Sequence, residues 1–497
     1  MKYLAAAFVA ALCFTGFLNP AIAQDVTLTS RDKSIEVSGN LLGFDGTFYR
    51  VDTVYGELTI DGTGVLCEGP ACPSLEAYIA ELTFSGTPAI GRVLLPALIE
   101  GYARASGLGT QRIEVDDQLT TYELLSESGS EVVGIFTIRQ TSNDEGFADI
   151  LSNEADVAMA LRPASSEEIA FALEAGYGNL TAATQHDVVA MEALVPTVDL
   201  NSAVSSLSIE QVAGLLNGDL KEWRTLGEDS SAYIHVVLSE PATDVLQPVS
   251  KVLSGYGYIG PFAPNVQVLE SSALSVDFTF SSSIAKERRV IAISDVCGIS
   301  YASGPQALKS MEYPLALPMY LYRPMRRMPK IGRDFFDFLD GQTAKRVVER
   351  AGFQAIDASE TPIEIQGRRL VNAISLASPE NLDVLQGAVA ELKGRRLLSL
   401  VFRFSDQGYD ATSSTSMKRL ARLAESGGLD GQSLLFVGFG DTSGLAERVA
   451  QDFRAEFPAD PTVLDVSAVE FGNVIPLACP DTDRGRFMNE RVEVWVR

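Results

Sequence analysis

The first 23 residues limit the fold more than any other part of the chain. An apolar run from Tyr3 to Leu18 follows a single charge, Lys2, and is closed by Asn19-Pro20 and the small-x-small tripeptide Ala21-Ile22-Ala23 before Gln24. That layout is a secretory signal peptide. A spanning anchor needs about 20 consecutive apolar residues; this run is shorter and ends in a cleavage pattern. Cys13 follows Leu12, which does not make a lipoprotein-type processing site. Residues 1–23 are therefore read as a signal peptide, and the mature chain, from Gln24, is expected to fold in an oxidising compartment.

Export sharpens the meaning of charge and cysteine. The chain has 39 basic and 65 acidic side chains, and losing Lys2 leaves 38 − 65 = −27. Such acidity disfavours nucleic acid and anionic lipid as partners. It also repels anionic ligands at long range, so any anion site must rely on local donors. No later segment is apolar for long enough to cross a bilayer. Of the five cysteines, Cys13 lies in the leader. Cys67 and Cys72 close a tight Glu-Gly-Pro-Ala loop and are read as a disulfide. A metal site there is the poorer alternative, because the only two histidines, His186 and His235, are remote in sequence. Cys297 and Cys479 could pair only if two distant regions meet, and are read as buried thiols.

The length implies two or three domains. Residues 24–75 read as a small β module: short β segments are punctuated by Asp45-Gly46 and Asp61-Gly62, which are hairpin-turn signals. From about residue 77 strands alternate with helices, the texture of an α/β domain. Leu82-Thr83-Phe84 reads as a strand and Ser85-Gly86-Thr87 as a turn. A helix is then expected with Pro88 in its first turn and Ile90, Leu94, Leu98 and Tyr102 on one face. Ala155 to Ala160 reads as a strand and Ser208 to Leu216 as a helix. This domain is expected to end at 357, with 358–395 as a linker holding a helix from Pro379 to Lys393. A second α/β unit follows over 396–497.

Several segments of 77–357 together resemble periplasmic solute-binding proteins of the phosphate-binding (PstS-like) type. They are the Ser85-Gly86-Thr87 turn, Ala155 to Pro163 with Glu167-Glu168, Leu216 to Trp223 with Leu226-Gly227, Tyr313-Pro314-Leu315, Tyr320-Leu321-Tyr322 and Gly352-Phe353. The resemblance implies a two-lobed α/β fold that closes around its ligand. It also implies a site at helix N-termini, whose unpaired amides and positive dipole ends hold an oxyanion. Carried over residue by residue, the candidate ligand contacts are Ser85, Gly86, Thr87, Thr141, Ser142, Arg162 and Thr243, with Arg162 suited to bidentate oxyanion contact. Each also has a plainer role: Ser or Thr at a helix start is usually an N-cap, and Arg162 can pair with Glu167 or Glu168. One departure stands out. Where phosphate-binding members carry Arg and then Ser-Gly-Thr, this chain has Ser239-Glu240-Pro241-Ala242-Thr243-Asp244. The resemblance thus implies the fold and a small solute, phosphate or another oxyanion, without fixing which.

The last hundred residues resemble the OmpA-like peptidoglycan-binding domain. The features are strand Leu397 to Phe404, strand Leu434 to Gly438 running into Gly440-Asp441-Thr442-Ser443-Gly444, Arg454-Ala455 on the following helix, and the closing Asn489-Glu490-Arg491-Val492-Glu493. The resemblance implies a site for the zwitterionic end of a peptide-stem diamino acid, with Asp441 for the ammonium, Arg454 for the carboxylate, and Asn489 and Arg491 lining the same area. Phe439-Gly440 replaces the family's His-Thr, and Glu490 stands where the family has Arg.

Together these readings describe a non-enzymatic protein of the periplasm, associated with the cell wall or outer membrane. Its solute-binding module would be tethered to peptidoglycan, and no cofactor or metal is expected. The alternative is a structural or interaction protein whose cleft has lost its small ligand. No Gly-x-x-x-x-Gly-Lys loop, His/Cys cluster or Ser-His pair points to an enzyme.

Overall fold

The computed structural model describes residues 25–497 except 32, 74–78, 239–241, 261, 263–271, 327, 406–407 and 458–463. The signal-peptide expectation over 1–23 lies outside the described residues. No helix among those described is long and apolar enough to cross a membrane. The chain forms two compact units, one comprising the residues up to 80 with 327–333 and the other comprising 81–326 with 334–497.

The first unit is an antiparallel sheet of Val26–Ser30, Glu36–Phe44, Phe48–Thr53, Gly56–Asp61 and Val65–Glu68. In space the order is fourth, third, second, first, fifth. Alternate residues Val26 and Leu28, and Tyr49 and Val51, form its core, as the period-2 alternation of a half-buried strand requires. The expected turn at Asp45 is built by its carboxylate, which accepts the amides of Thr47 at 2.9 Å and Phe48 at 2.6 Å. Arg333 donates to the same carboxylate at 3.0 Å. Cys67 and Cys72 form a disulfide.

The second unit is mixed α/β. Its larger sheet runs His235–Leu238, Ser275–Phe280, His186–Asp199, Ala316–Tyr322, Val157–Ala160, Ala80–Gly86, Val132–Gln140, Leu119–Leu125, Gly109–Glu114, with Arg288–Val290 beside His186–Asp199. The long strand His186–Asp199 gives the sheet two lobes. Its first half pairs with Ala316–Tyr322 and its second half with Ser275–Phe280 and Arg288–Val290. The expected helix after Ser85-Gly86-Thr87 is two, Pro88–Gly91 and Leu94–Ala105. Pro96 explains the break: in a continuous helix it would leave the Arg92 carbonyl without a donor, whereas in the first turn of a new helix its missing N–H costs nothing. Helix Ile209–Asn217 carries a full capping box from Ser208 and Gln211, and Gly218 ends it at φ 76°, a left-handed conformation that glycine adopts freely.

A smaller five-stranded sheet, ordered Glu360–Pro362, Arg396–Phe402, Arg491–Val496, Ser433–Phe439, Asp465–Glu470, lies in the same unit. The 358–395 segment is more than the linker expected. Its strand Glu360–Pro362 pairs with 396–398, and Ile363, Ala373, Leu385, Ala388 and Leu392 pack in one core with Leu397 and Trp495. The apolar faces of helices Gly367–Leu376 and Leu382–Leu392 need cover, and this sheet supplies it. Cys297 and Cys479 are not free thiols. The two distant regions do meet, and the cysteines form a disulfide across 182 residues of sequence. Beside the bridge, Asp295 accepts the amides of Cys297, Ile299 and Cys479 and the Tyr301 hydroxyl.

Candidate functional site

The chain reverses at Ser85-Gly86-Thr87, where strand Ala80–Gly86 meets helix Pro88–Gly91. Gly86 sits at φ +140°, and a Cβ built there would lie 2.1 Å from the Met159 carbonyl oxygen. Only glycine fits such a close backbone approach. Thr87 N–H donates to that same carbonyl at 3.0 Å, and Thr141 N–H to the Gly86 carbonyl at 2.8 Å. The turn is thereby pinned to the end of strand Val132–Gln140 and to strand Val157–Ala160. Helix Asn143–Leu151 starts against it, with Gly146 so close that a Cβ would meet the Ser85 carbonyl oxygen at 2.7 Å. Ser85, Gly86, Thr87, Thr141, Ser142 and Arg162 therefore surround one point, the amino end of helix Asn143–Leu151. The side chain of Thr243 lies outside the described residues.

Each hydroxyl there already has a partner. Ser85 Oγ donates to Asp149 Oδ2 at 2.6 Å and lies 3.2 Å from Thr141 Oγ1. Thr87 Oγ1 accepts from Ala89 N–H at 3.4 Å, and Ser142 Oγ from Glu145 N–H at 3.1 Å; these are N-cap bonds that satisfy otherwise orphaned helix donors. Arg162, 8% exposed, uses all five of its N–H groups. Nε donates to Gln247 Oε1 at 2.9 Å, and one terminal nitrogen donates to Glu168 Oε2 at 2.8 Å and the Pro163 carbonyl at 3.1 Å. The other donates to Glu168 Oε1 and Asp144 Oδ1, each at 2.6 Å. The guanidinium also lies 4.6 Å from the Phe147 ring centroid. The pairing with Glu168 foreseen as the plainer role is thus the one adopted.

The sequence reading missed the residue at the centre. Asp244, in the first turn of helix Ala242–Gly255, accepts the Asn143 N–H on Oδ1 at 2.9 Å, while Asn143 Nδ2 donates to the Asp244 carbonyl at 2.9 Å. Asn143 Oδ1 accepts the Leu161 amide at 2.9 Å. A single asparagine thus ties together the helix start, the end of strand Val157–Ala160 and the helix that follows strand His235–Leu238. Asp244 is 3% exposed. Burial pushes its carboxyl above the ordinary carboxylate range, and Asp144 adds to this; the Asn143 amide, the Thr87 hydroxyl and Arg162 pull the other way without prevailing. A carboxylate at a helix amino end is favoured by the dipole and the free amides. The only sequence signal was the extra acid at 240 and 244, which registered as charge and not as a contact.

The C-terminal candidates divide. Asp441 is exposed at the end of strand Ser433–Phe439, and its Oδ1 accepts from Asn473 Nδ2. Arg454, also exposed, donates to the Val466 carbonyl at 2.8 Å and Glu447 Oε1 at 3.3 Å. Asn489 and Arg491, expected to line the same area, are both buried. Asn489 is 5% exposed; its Oδ1 accepts the amides of Leu477 and Ala478, and its Nδ2 donates to the Ala478 carbonyl. Arg491 is fully buried and donates to Glu493, the Asn489 carbonyl and the Ile475 carbonyl, with the Phe439 ring centroid 4.3 Å away. Burial pulls its guanidinium down to about 10 against the opposing charge of Glu493. The physical reason is packing: the Arg491 side chain is enclosed against the Phe439 ring and the Ile475 carbonyl, and an enclosed cation must be paired.

Glu490 takes an unexpected place. Its Oε2 accepts the Asp441 amide at 3.1 Å and its Oε1 the Thr442 amide at 3.0 Å. Gly440, at φ +114°, allows this; a Cβ there would lie 2.5 Å from Glu490 Oε2.

A cavity of about 290 Å³ lies elsewhere in the unit, lined among others by Leu98, Lys345, Val348, Ile356, Arg419 and Arg422.

No protein-family model matches the chain, and no curated protein matches it significantly. Among solved structures, it is similar to an ABC-type phosphate transport receptor from Vibrio cholerae at 17% identity, covering 55% of this chain and 98% of that one, with a TM-score of 0.41. It is similar to a putative phosphate ABC transporter substrate-binding protein with bound phosphate from Clostridium perfringens at 15% identity, covering 56% and 100%, with a TM-score of 0.40. A third similar structure is PstS from Borrelia burgdorferi, at 15% identity, covering 56% and 98%, with a TM-score of 0.38.

Proposed function

We propose that this chain is an exported, non-enzymatic binding protein of the bacterial envelope, in which a cleft of the oxyanion class is carried on a C-terminal peptidoglycan-binding domain. The reading rests on the backbone amide of Asn143, at the amino end of helix Asn143–Leu151, which already holds a carboxylate oxygen at 2.9 Å. A helix start surrounded by Ser85, Thr87, Thr141 and Ser142 and accepting a carboxylate is an anion seat by chemistry. The ligand class that fits it is phosphate or another small oxyanion, and the compartment is the periplasm, with the wall or outer membrane as the attachment. The test is calorimetric titration of the mature protein with phosphate, sulfate and small carboxylates. Saturable binding by one of them is expected, and heats no larger than dilution for all of them would defeat the solute half of the reading.

The tether rests on Asp441, exposed beside the Asp441–Thr442 amide pair, with Arg454 on the next helix. Sedimentation with purified peptidoglycan should deplete the parent protein, and Asp441→Ala should bind several-fold less. Equal depletion by parent, Asp441→Ala and Arg454→Ala would defeat it.

One observation favours a second reading, in which the cleft has exchanged its small ligand for a structural or partner-binding role. All five N–H groups of Arg162 are spent within the chain, so this guanidinium is not free to meet an anion. Under that reading thermal shifts with every oxyanion stay flat.

A further inference from the structure

The carboxylate held at the amino end of helix Asn143–Leu151 comes from a segment 101 residues away in sequence, on the helix that follows a strand of the other half of the sheet. Its contacts are those an anion would make. Oδ1 takes the first amide of the helix, the Thr87 hydroxyl faces the group, and the side chain is buried. The lock is two-sided, because Asn143 Nδ2 grips the Asp244 main-chain carbonyl as well. A second bolt lies alongside: Gln247, one turn further along the same helix, accepts from Arg162 Nε at 2.9 Å and donates to Asp144 at 3.3 Å. The far end of that helix is held too. Gly255 stands so close to Arg484, on helix Asp483–Asn489, that a Cβ there would lie 3.0 Å from the Arg484 Cβ.

The geometry points to Asp244 as an internal ligand: the chain's own carboxylate occupies the anion seat of the cleft and holds the two lobes together, so an external oxyanion binds only by displacing it. The inference rests on the reading of this cleft as an oxyanion site. Two anions cannot share one amide at the start of one helix, and Asp144 and Glu168 already surround the Arg162 guanidinium. Entry of the ligand therefore requires the Asp244–Asn143 pair to part, which moves helix Ala242–Gly255 away from helix Asn143–Leu151. This makes the cleft a latched receptor, with an affinity lowered by the fraction of time the latch is seated. A seat occupied nine-tenths of the time or more lowers the apparent affinity ~10-fold or more.

The experiment is calorimetric titration of the mature protein with inorganic phosphate, comparing the parent, Asp244→Ala and Asp244→Asn, with circular dichroism and thermal unfolding on each. Asp244→Ala empties the seat and is expected to bind phosphate ~10-fold or more tightly than the parent. Asp244→Asn keeps the size and removes the charge, so it should fall between them and guards against a failure of the alanine variant to fold. A parent that binds phosphate as tightly as both variants overturns the latch and leaves the oxyanion reading standing. Folded variants that bind neither phosphate, sulfate nor a small carboxylate overturn both.

Discussion

The two candidate sites share one chemical solution in opposite surroundings. At the amino end of helix Asn143–Leu151, Asp244 sits on the Asn143 amide; near the C-terminus, Glu490 sits on the amides of Asp441 and Thr442. Asp244 is 3% exposed and reaches across the lobes. Glu490 is partly exposed and lies at the end of the helix beside the loop it grips. An exposed carboxylate on backbone amides gives up little hydration, so its bond is cheap to make and cheap to break. A buried one loses its water, and the amide, a hydroxyl and a neighbouring arginine must offset that loss. The first site is a latch and the second a lightly held loop.

Removing the buried cation beside the latch should have the largest effect. Arg162→Met leaves Glu168, with 15% of its side chain exposed, without its bidentate partner, and Asp144, 70% exposed, without its own. Breaking a buried pair from one side costs about 3–5 kcal/mol, and the exposure of Asp144 places the expectation near the lower end. Urea unfolding would read it as a lowered midpoint. A loss under ~1 kcal/mol, the scale of a surface pair, would mean that the cleft is no more enclosed than the C-terminal loop.

Next is the charge of the latch itself. Burial raises the Asp244 carboxyl in the folded protein, so folding favours the protonated form. The stability this group contributes is complete below its unfolded-state value and is lost as pH rises through the higher native one. Asp244→Asn should therefore melt higher than the parent at pH 7.5, with the gap closing in acid. A gap that widens in acid would reverse the sign and contradict a buried, protonation-favouring site at Asp244.

The smallest effect belongs to the exposed site. Glu490→Ala frees two surface amides, which water can take up, so unfolding stability should shift by no more than ~1 kcal/mol. Sedimentation with peptidoglycan should increase, because a carboxylate of the stem then finds the Asp441 and Thr442 amides open. Weaker sedimentation would make Glu490 part of the wall-binding surface and not an occupant of it.

The sequence carried the framework of both sites but not how they are occupied. Ser85-Gly86-Thr87 was legible because a turn between an apolar strand and a Pro-started helix has few other uses, and the helix read over Ser208 to Leu216 lies at Ile209–Asn217. Local chemistry reveals such features. Asp244 on Asn143 and Cys297 on Cys479 were not legible, since each joins segments a hundred or more residues apart and nothing local marks the partner. Asn489 and Arg491 misled for a related reason. Polar and charged side chains in a closing motif look like a surface, yet Asn489 ends a helix and is buried on the amides of Leu477 and Ala478, and Arg491 opens a strand inside the sheet. The split at Arg92-Val93 could have been read from Pro96.

The latch is tested most directly by amide hydrogen exchange over residues 141–151, with and without phosphate, in the parent and in Asp244→Ala. The account predicts a protected segment in the parent that phosphate barely changes, and a segment in Asp244→Ala that exchanges faster alone and regains protection when phosphate is added. Equal exchange in the two proteins without phosphate would contradict it.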